Sequence, residues 1–520
     1  MEFDIIIIGA GHNGLAAGCY LAKSGMKVIV LENRHIIGGG CVTEEVTLPG
    51  FKHNTHALIM AQIHSTGIAG ELELEKYGLK FLNNKEDAIM LNPLDNGGAY
   101  IKYKNVNKTI KEIEKKFSTK DANAYRKFCE HGQKLFSIGI GDKAPPTSDD
   151  ELYDKLIKLG PEGEDIYWYK RTNMFNLLNE FFEDDELKGI LCWEGGLKGT
   201  DPYLYGCANY CFIPSVMHKV GFSIAEGGSI SVVNAMQKCL ENYNGIVRTN
   251  AGVEKIIIKN NRISGIKTKD GKEITAKRGI LSNVNIKALI DHQILDKEHL
   301  EKRIIKQIKR IRAGVAGAVN WSIALNEPPK FTCHNGELPF HQQKGFSSLE
   351  DAERVWHGIR IGKPVEEKIP FYGAIPTLLD PTQAPKNKHT FWFNTITSNV
   401  LTNGDNWIDY KEKYYEIMLE ELQNIAPNMT KKNILAVSLE SPYEMGIKNP
   451  NFLEGNFAIM ELTPDQTDIM RPTLSLSGYK TPITGLYLTG GGTYPAGGVT
   501  GVPGHNAAQV ILDDLKNNLI

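Results

Sequence analysis

Glycines near the start of the chain are the residues whose type and spacing point most clearly to chemistry. The motif GAGHNG at 9–14 directly follows a β-branched run at 4–8, and residues 15–24 after it predict a helix. Residues 27–31 predict the next strand, which leads into Glu32. A strand, a glycine loop, a helix and an acid in this order form the fingerprint of a dinucleotide-binding unit.

Each glycine of the motif has its own physical reason. Gly9 permits the tight turn, Gly11 lets the backbone approach a pyrophosphate, and Gly14 lets the helix and strand pack closely. His12 and Asn13 stand at the helix N-terminus, where free N–H groups and the positive dipole end attract phosphate. We therefore predict that all five residues contribute to cofactor binding.

The acid and a second glycine group narrow the choice of cofactor. Glu32, next to Asn33, could accept hydrogen bonds from a ribose diol and repel a 2′-phosphate, which favours FAD or NAD over NADP. Gly38, Gly39 and Gly40 allow close approach to a second stretch of an extended cofactor. A simple NAD-binding unit does not require that approach, so these motifs favour FAD.

The middle of the chain predicts further strands of the same unit. Residues 229–243 predict a helix, and a β-meander over a parallel sheet follows, with a hairpin turn at Asp270-Gly271. Val253, which opens one of these strands, is a further candidate cofactor contact. The predicted strands are 246–248, 253–258, 262–268, 273–276 and 279–282.

A second strand–glycine–helix element lies near the C-terminus. Residues 485–489 predict a strand and 506–515 a helix. Such an element suits the other half of a long dinucleotide, with helix amides aimed at an isoalloxazine edge or at ribityl oxygens. The candidate contacts in the intervening loop are Gly490, Gly491, Gly497, Gly498, Val499 and Gly501.

Several motifs along the chain also match a known family. They are GAGHNGL at 9–15, GG at 38–39, VTEE at 42–45, PGF at 49–51, PTLLDP at 376–381, AP at 384–385, GN at 455–456, DQ at 465–466, RP at 471–472 and the stretch 485–508. With them the chain resembles the phytoene desaturase-like FAD-dependent oxidoreductases over nearly its whole length. Within that family it resembles the branch of carotenoid ketolases and pyridine nucleotide-disulphide oxidoreductase domain-containing protein 2.

The resemblance implies an α/β fold that binds FAD. Its expected core is a glutathione-reductase/amine-oxidase-like FAD-binding Rossmann domain built from discontinuous segments, with an interleaved α+β substrate domain. We expect residues 1–75, 225–299 and 456–520 to form the FAD-binding domain. Residues 76–224 and 300–455 then form the substrate domain.

Within the substrate domain, residues 121–136 and 175–192 predict helices, and the acidic run at 182–186 is interpreted as a solvated helix face. An aromatic-rich stretch precedes Gly227 and either walls an apolar substrate tunnel or belongs to ordinary core. Its members are Tyr203, Tyr205, Tyr210, Phe212 and Phe222.

Removal of a proton from substrate calls for a base, and four polar residues near the cofactor segments are candidates. They are Tyr494, His218, Glu226 and His505. Tyr494 ranks first, because the family often has histidine at this position in the flavin loop. The family also often has arginine at the position of His505, glycine at that of Ala496 and histidine near Ile459. These differences lie where flavin and substrate meet in the family.

The resemblance implies an FAD-dependent oxidoreductase acting on C–C or C=C bonds of a hydrophobic substrate, by hydride transfer to or from flavin N5. Polyenes, isoprenoids and other lipid-like molecules are the expected substrates. A flavin-dependent isomerase or hydratase without net redox change is one alternative. A non-catalytic flavoprotein that binds a protein partner is the other.

Only one GxGxxG unit is present, and nothing resembles a second domain for NADPH. We therefore expect the substrate itself, a quinone, oxygen or another protein to be the electron partner.

Composition excludes other classes of function. The 59 basic and 61 acidic residues nearly balance, which argues against nucleic-acid binding. The 8 cysteines form no CxxC pair, and His53 and His56 lack a third ligand, so we predict no metal. No signal peptide or membrane span is visible, and we expect a cytoplasmic protein. Peripheral membrane contact and oligomeric state stay open.

Overall fold

A computed structural model describes residues 1–84, 87–137, 143–402 and 404–520. The strands are β1 Glu2–Ile8, β2 Val28–Leu31, β3 Thr43–Glu44, β4 His53–Asn54, β5 Phe81–Asn83, β6 Ala88–Pro93, β7 Ala99–Tyr103, β8 Ser223–Ala225, β9 Ile246–Arg248, β10 Val253–Lys259, β11 Arg262–Thr268, β12 Glu273–Ser282, β13 Ala316–Leu325, β14 His341–Lys344, β15 Phe371–Ala374, β16 His389–Ser398, β17 Ile434–Glu440 and β18 Leu486–Leu488.

The α-helices are interspersed among these strands, and many of them follow one another between β7 and β8. They are α1 His12–Lys23, α2 Ala61–Ser65, α3 Ile68–Glu71, α4 Val106–Lys116, α5 Thr119–Ser137, α6 Asp149–Ile157, α7 Pro161–Tyr169, α8 Met174–Phe181, α9 Asp185–Gly196, α10 Ile213–Val220, α11 Ile230–Asn242, α12 Ile286–Asp291, α13 Lys302–Lys309, α14 Leu349–Arg360, α15 Trp407–Ile425, α16 Pro442–Lys448 and α17 Val502–Lys516. Short 3₁₀ helices span Leu74–Tyr77, Ala208–Phe212, Lys297–His299, Pro376–Leu378, Pro381–Gln383, Leu453–Gly455, Pro464–Gln466, Asp468–Met470 and Ser477–Tyr479.

The first large sheet gathers strands from both ends and the middle of the chain. Its order is β10-β11-β12-β1-β2-β9, and β18 also pairs with β12. β1 runs parallel to β12 and β2, between two apolar layers. This burial on both faces explains the unbroken β-branched run in β1. The discontinuous Rossmann architecture expected from the resemblance is therefore confirmed.

The predicted meander is not a layer over that sheet but part of it. β12 is one strand of ten residues, whereas two strands broken after Ala276 were predicted. Phe3 pairs with Ala276 while Ile5 pairs with Gly279, so a bulge in β12 accommodates one extra residue. A bulge interrupts the side-chain alternation without ending the strand, and here it leaves two consecutive exposed residues, Lys277 and Arg278.

The second large sheet has the order β17-β13-β16-β15-β14-β6-β7. Its pairs are antiparallel except β14 with β6. Every residue of β13 is buried, and a large apolar cluster surrounds the sheet. Its strands fall within 88–440, between segments of the first sheet. The domain boundaries themselves stay predictions.

The helix predicted over 175–192 is wrong as a single element. Two helices, α8 and α9, cover the region and are separated by the residues around Asp184. The Asp184 carboxylate caps α9 by accepting a hydrogen bond from Leu187 N at 2.9 Å. Phe182 is buried in the core. The acidic run is therefore a helix start, not the solvated face of a continuous helix.

The other helix predictions need smaller changes. The helix predicted at 121–136 spans Thr119–Ser137, and α11 matches the helix predicted at 229–243. α17 begins before the predicted residue 506, with Pro503 in its first turn, where proline suits a helix.

Among the helices described, none combines the length and hydropathy needed to cross a bilayer. The described residues bring together no group of three or more metal-ligating side chains.

Candidate active site

One cavity of about 760 Å³ is lined by residues from both large sheets. Glycines and polar side chains of the first sheet's loops form one part of its wall. Apolar side chains around the second sheet form another part, and they are Trp193, Leu197, Ile213, Val216, Met217, Phe222, Tyr372, Trp392 and Ile396. The cavity can thus hold an elongated polar group next to an apolar one.

The loop between β1 and α1 leaves no room for side chains. Gly9 has φ +95°, which favours glycine, and a Cβ at Gly14 would lie 2.4 Å from the Gly9 carbonyl oxygen. Gly11 precedes α1 without a side-chain cap. The first N–H groups of the helix therefore remain available to an anion at the cavity.

Asn283 holds this loop, and sequence reasoning missed it. Its Nδ2 donates to the Gly9 carbonyl at 3.3 Å. A Cβ at Gly11 would lie 2.7 Å from the same nitrogen, and one at Gly490 would lie 2.6 Å from Asn283 Oδ1. Its position directly after β12, at the carboxyl end of a parallel strand, is a signal that could have identified it.

Glu32 is held in place by backbone amides. Its carboxylate accepts hydrogen bonds from Ala10 N and Arg34 N, each at 2.9 Å, while it lines the cavity. Lys269 Nζ donates to Asn33 Oδ1 at 2.9 Å nearby. The acid is thus fixed at the cavity wall with acceptor capacity left for a diol.

The glycine loops from the two ends of the chain meet at His12. Gly38 N donates to the Ala10 carbonyl at 2.8 Å, which ties the second glycine group to the first. His12 Nε2 lies 3.0 Å from the Gly498 carbonyl oxygen. Burial lowers the pKa of His12 to about 4, so the ring is neutral near pH 7 and donates from Nε2.

These residues fit an extended dinucleotide. Asn13 lines the cavity, and its buried Oδ1 has no hydrogen-bond partner within the described residues. Glycine loops with no room for a Cβ surround the same space. A buried acceptor without a partner, next to glycine loops of this kind, is the arrangement expected for a space that FAD would fill.

Most of the predicted cofactor contacts lie on the cavity wall. They are Gly9, Gly11, His12, Asn13, Glu32, Asn33, Gly38, Gly39, Gly40, Val253, Gly491, Gly497, Gly498 and Val499. Gly14, Gly490 and Gly501 are outside that lining. A Cβ would lie 2.4 Å from the Gly9 carbonyl oxygen at Gly14, 2.6 Å from Asn283 Oδ1 at Gly490 and 3.1 Å from Ile68 Cδ1 at Gly501. Their assignment as direct contacts has no geometric support and stays a prediction.

His218 and Glu226, two of the four predicted bases, lie away from the cavity lining described. His218 Nε2 lies 2.8 Å from the Tyr125 hydroxyl, and its Nδ1 lies 2.9 Å from the Tyr103 carbonyl. Glu226 forms an exposed ion pair with Lys80 at 3.0 Å. Both side chains are engaged in structural contacts at these positions.

Tyr494 and His505 are also outside the described lining. Tyr494 is buried, and its carbonyl accepts a hydrogen bond from the Tyr479 hydroxyl at 3.0 Å. His505 Nδ1 lies 2.9 Å from Asn506 Oδ1. All four catalytic assignments therefore stay predictions without geometric support.

The aromatic stretch does not wall a tunnel as a unit. Tyr203 and Tyr205 are exposed, Tyr210 is half-buried, and Phe212 is in the core. Phe222 alone among the five lies on the described cavity wall. The alternation of exposed and buried rings follows from the 3₁₀ helix and turns in this region, which a sequence pattern does not specify.

A polar cluster beside the apolar wall was also missed. His56 lines the cavity, and its Nε2 lies 3.0 Å from Glu440 Oε2. Its Nδ1 lies 2.9 Å from the Thr55 hydroxyl. Burial opposes ionisation of Glu440, but His56 and the charge of Lys448 outweigh it and lower the pKa of Glu440 to about 2. Glu440 is therefore ionised against His56.

Known proteins show similar sequence and fold. The family model described as NAD(P)-binding Rossmann-like domain matches residues 7–70. Pyridine nucleotide-disulfide oxidoreductase domain-containing protein 2 of Mus musculus is 28% identical, with 99% of this chain and 94% of that protein covered. Lycopene-forming phytoene desaturase of Pseudescherichia vulneris is 22% identical, with 98% and 99% covered.

A chloroplastic prolycopene isomerase of Daucus carota is 24% identical, with 96% of this chain and 78% of that protein covered. Among solved structures, an oxidoreductase from Methanosarcina mazei superposes with a TM-score of 0.61 at 17% identity. That superposition covers 99% of this chain and 100% of the other. The structural likeness extends over both sheets.

Proposed function

From the position of this chain among the phytoene desaturase-like FAD-dependent oxidoreductases, we propose that it transfers hydride between FAD and a carbon of a hydrophobic, lipid-like substrate. The chain is an FAD-dependent enzyme. The substrate class and the hydride step belong to the proposal.

The observation that carries the proposal is the shared cavity. The same space is lined by the glycine loops of the first sheet and by the apolar wall around the second. A cofactor held by the loops would therefore have an apolar compartment beside it. A substrate rich in carbon and poor in polar groups is the chemistry that such a compartment accepts.

The chain's own residues would hold the cofactor by position and by charge. The α1 N-terminus would receive the pyrophosphate, and Glu32 would accept hydrogen bonds from the ribose diol. The loop containing Gly497 and Gly498 would line the flavin end. When bound, FAD supplies hydride acceptance or donation at its N5 atom.

The apolar wall positions the substrate and excludes water. Trp193, Tyr372 and Trp392 bring large rings to the cavity, and the first and third rings are almost completely buried. Rigid aromatic surfaces orient a flexible hydrocarbon at low entropic cost. Exclusion of water protects a reduced centre from side reactions.

His56 is the proton-handling residue in this proposal. Its Nε2 lies 3.0 Å from the Glu440 carboxylate and its Nδ1 lies 2.9 Å from the Thr55 hydroxyl, and these contacts orient the ring at the cavity wall. Loss of hydride from one carbon and a proton from its neighbour produces a C=C bond. An oriented imidazole beside the cavity can accept that proton.

A second function, isomerisation without net redox change, is supported by the similarity to a polyene isomerase over 96% of the chain. The cavity suits both reactions, because both need flavin beside a hydrocarbon. A flavoprotein whose main role is to bind a protein partner is the third hypothesis.

Anaerobic incubation of the purified flavoprotein with a panel of saturated and unsaturated isoprenoids and fatty-acyl compounds tests the proposal. We expect at least one member to bleach the flavin's visible absorbance without an added acceptor, and mass spectrometry to show a product lighter by two hydrogens. Product of unchanged mass with no lasting bleaching would favour isomerisation. No turnover across the panel, together with a stable protein partner, would favour the third hypothesis.

A further inference from the structure

Lys198 stands on the cavity wall. Lys198, shortly after the end of α9, is half-buried, and its Nζ lies 3.4 Å from the Gly497 carbonyl oxygen. Within the described residues it forms no ion pair with a carboxylate. Lys102, in contrast, is fully buried and its charge is paired, because its Nζ lies 2.5 Å from Glu194.

Arg471 adds a second positive charge behind the same wall. Its side chain is 1% exposed. It donates to the carbonyls of Gly491 at 2.6 Å, Ala458 at 3.0 Å and Gln466 at 3.1 Å. These acceptors are neutral carbonyls, so among the described residues no carboxylate pairs with the charge of Arg471. Gly491 and Ala458 line the cavity.

The two cations affect each other. Burial, and then the charge of Arg471, lower the pKa of Lys198. Burial lowers the pKa of Arg471 to about 10, so it stays charged near neutrality. Two like charges close together in a poorly solvated place are unfavourable unless an anion offsets them. Arg471 contacts Gly491 and Lys198 contacts Gly497 in the same loop, so the anion is expected at the loop assigned to the flavin end.

We infer that Lys198, supported by Arg471, stabilises negative charge on the reduced flavin and thereby raises its reduction potential. Transfer of a hydride, which is two electrons and one proton, from a substrate C–H bond to the neutral oxidised ring leaves one negative charge on that ring. An ammonium group at the wall would offset this charge. The inference rests on the proposed function for the hydride donor, but its charge effect requires only bound FAD.

Sulfite titration provides a test that needs no substrate. Sulfite adds to flavin N5 and gives an adduct with the same extra negative charge, with loss of visible absorbance. We expect Lys198→Met to weaken sulfite binding at least tenfold and Lys198→Arg, which keeps the charge, to stay within threefold of wild type. For a two-electron couple a tenfold change corresponds to about 30 mV, which a dye-coupled redox titration would measure as a lower potential.

Lys219→Met is the matched control, because it removes an exposed lysine from α10, a helix that also lines the cavity. It should leave both readouts unchanged. If Lys198→Met does not retain flavin, Lys198→Gln provides the neutral variant with a polar end group. Equal sulfite affinity and potential in wild type and the neutral variant would overturn the inference.

A different result would also overturn it. If a long-chain carboxylic acid perturbed the wild-type flavin spectrum but not that of the neutral variant, with the potential unchanged, Lys198 would be a substrate-carboxylate site. Failure of every hydrocarbon in the turnover panel would count against the proposed substrate class. It would leave the sulfite result intact, so the two failures are distinguishable.

Discussion

At the scale of single residues, the space around the N-terminal glycines is set by a residue far along the chain. Asn283 lies against Gly9, Gly11 and Gly14, and a Cβ at each position would lie within 3.6 Å of its side chain. The dinucleotide fingerprint predicted that these positions need glycine, but its reason for Gly11 was the cofactor alone. The structure adds a protein neighbour that no local pattern reveals.

Substitution of Gly11 should therefore prevent flavin retention. In Gly11→Val the Cβ would collide with Asn283 Nδ2, and the branched side chain would enter the space of the pyrophosphate. We expect the purified variant to be colourless, with no FAD released by acid. Gly70→Val is the control, since no atom lies within 4 Å of a Cβ there. A yellow Gly11→Val protein would contradict the placement.

A second residue-scale prediction concerns His56. His56→Gln keeps a polar side chain at the wall but removes the imidazole, and general acid–base catalysis contributes roughly 10²–10⁴-fold to rates. With a substrate that bleaches the wild-type flavin, we expect the rate of bleaching to fall about 10²-fold while FAD content is unchanged. The exposed His357→Gln variant should react at the wild-type rate. An unchanged rate in His56→Gln would remove it from the mechanism.

At the scale of elements, the strand–glycine–helix units were predictable because period, turn and cofactor motif agree locally. β1, α1 and β18 appear close to their predicted positions. The break between α8 and α9 was not predicted, although Asp184 has the residue type of an N-cap. One aromatic and four acidic residues in a row also suit a solvated face, and the burial of Phe182 together with the Asp184 cap decides between the two.

The cap provides an element-scale prediction. Asp184→Ala removes the acceptor of the Leu187 N–H bond and should destabilise the protein by ~1 kcal/mol. We expect a lower thermal unfolding temperature at constant ionic strength. Glu183→Ala, which removes only an exposed ion pair with Lys120, should change it little. Equal effects of the two substitutions would contradict the capping assignment.

At the scale of the whole molecule, the site depends on contacts between distant segments. That strands of the two large sheets are interleaved along the chain could be expected from the family resemblance. The pairing of His56 with Glu440, or of Lys198 with the loop at Gly497, could not, because it depends on how loops of one sheet pack against strands of the other. The candidate bases chosen near cofactor motifs in sequence lie elsewhere for the same reason.

Whole-molecule stability should also depend on pH through buried neutral histidines. Burial lowers the pKa of His53 to about 4 and that of His341 to about 3. Burial, with the nearby charge of Lys102, lowers the pKa of His218 to about 4. An unfolded histidine titrates near 6.5, so below that pH the unfolded chain binds more protons than the folded one.

The free energy of unfolding is therefore expected to fall as the pH decreases from 6.5 towards about 4, the folded pKa of His53 and His218. A histidine with a folded pKa near 4 loses about 2 kcal/mol of its contribution at pH 5. We expect the unfolding temperature of the flavoprotein, scanned at one rate, to drop steadily from pH 7.5 to pH 5. His218→Gln should reduce that slope, because glutamine takes up no proton, whereas the exposed His357→Gln should leave it unchanged. An identical slope in wild type and His218→Gln would mean that His218 is not a neutral buried group in the folded protein.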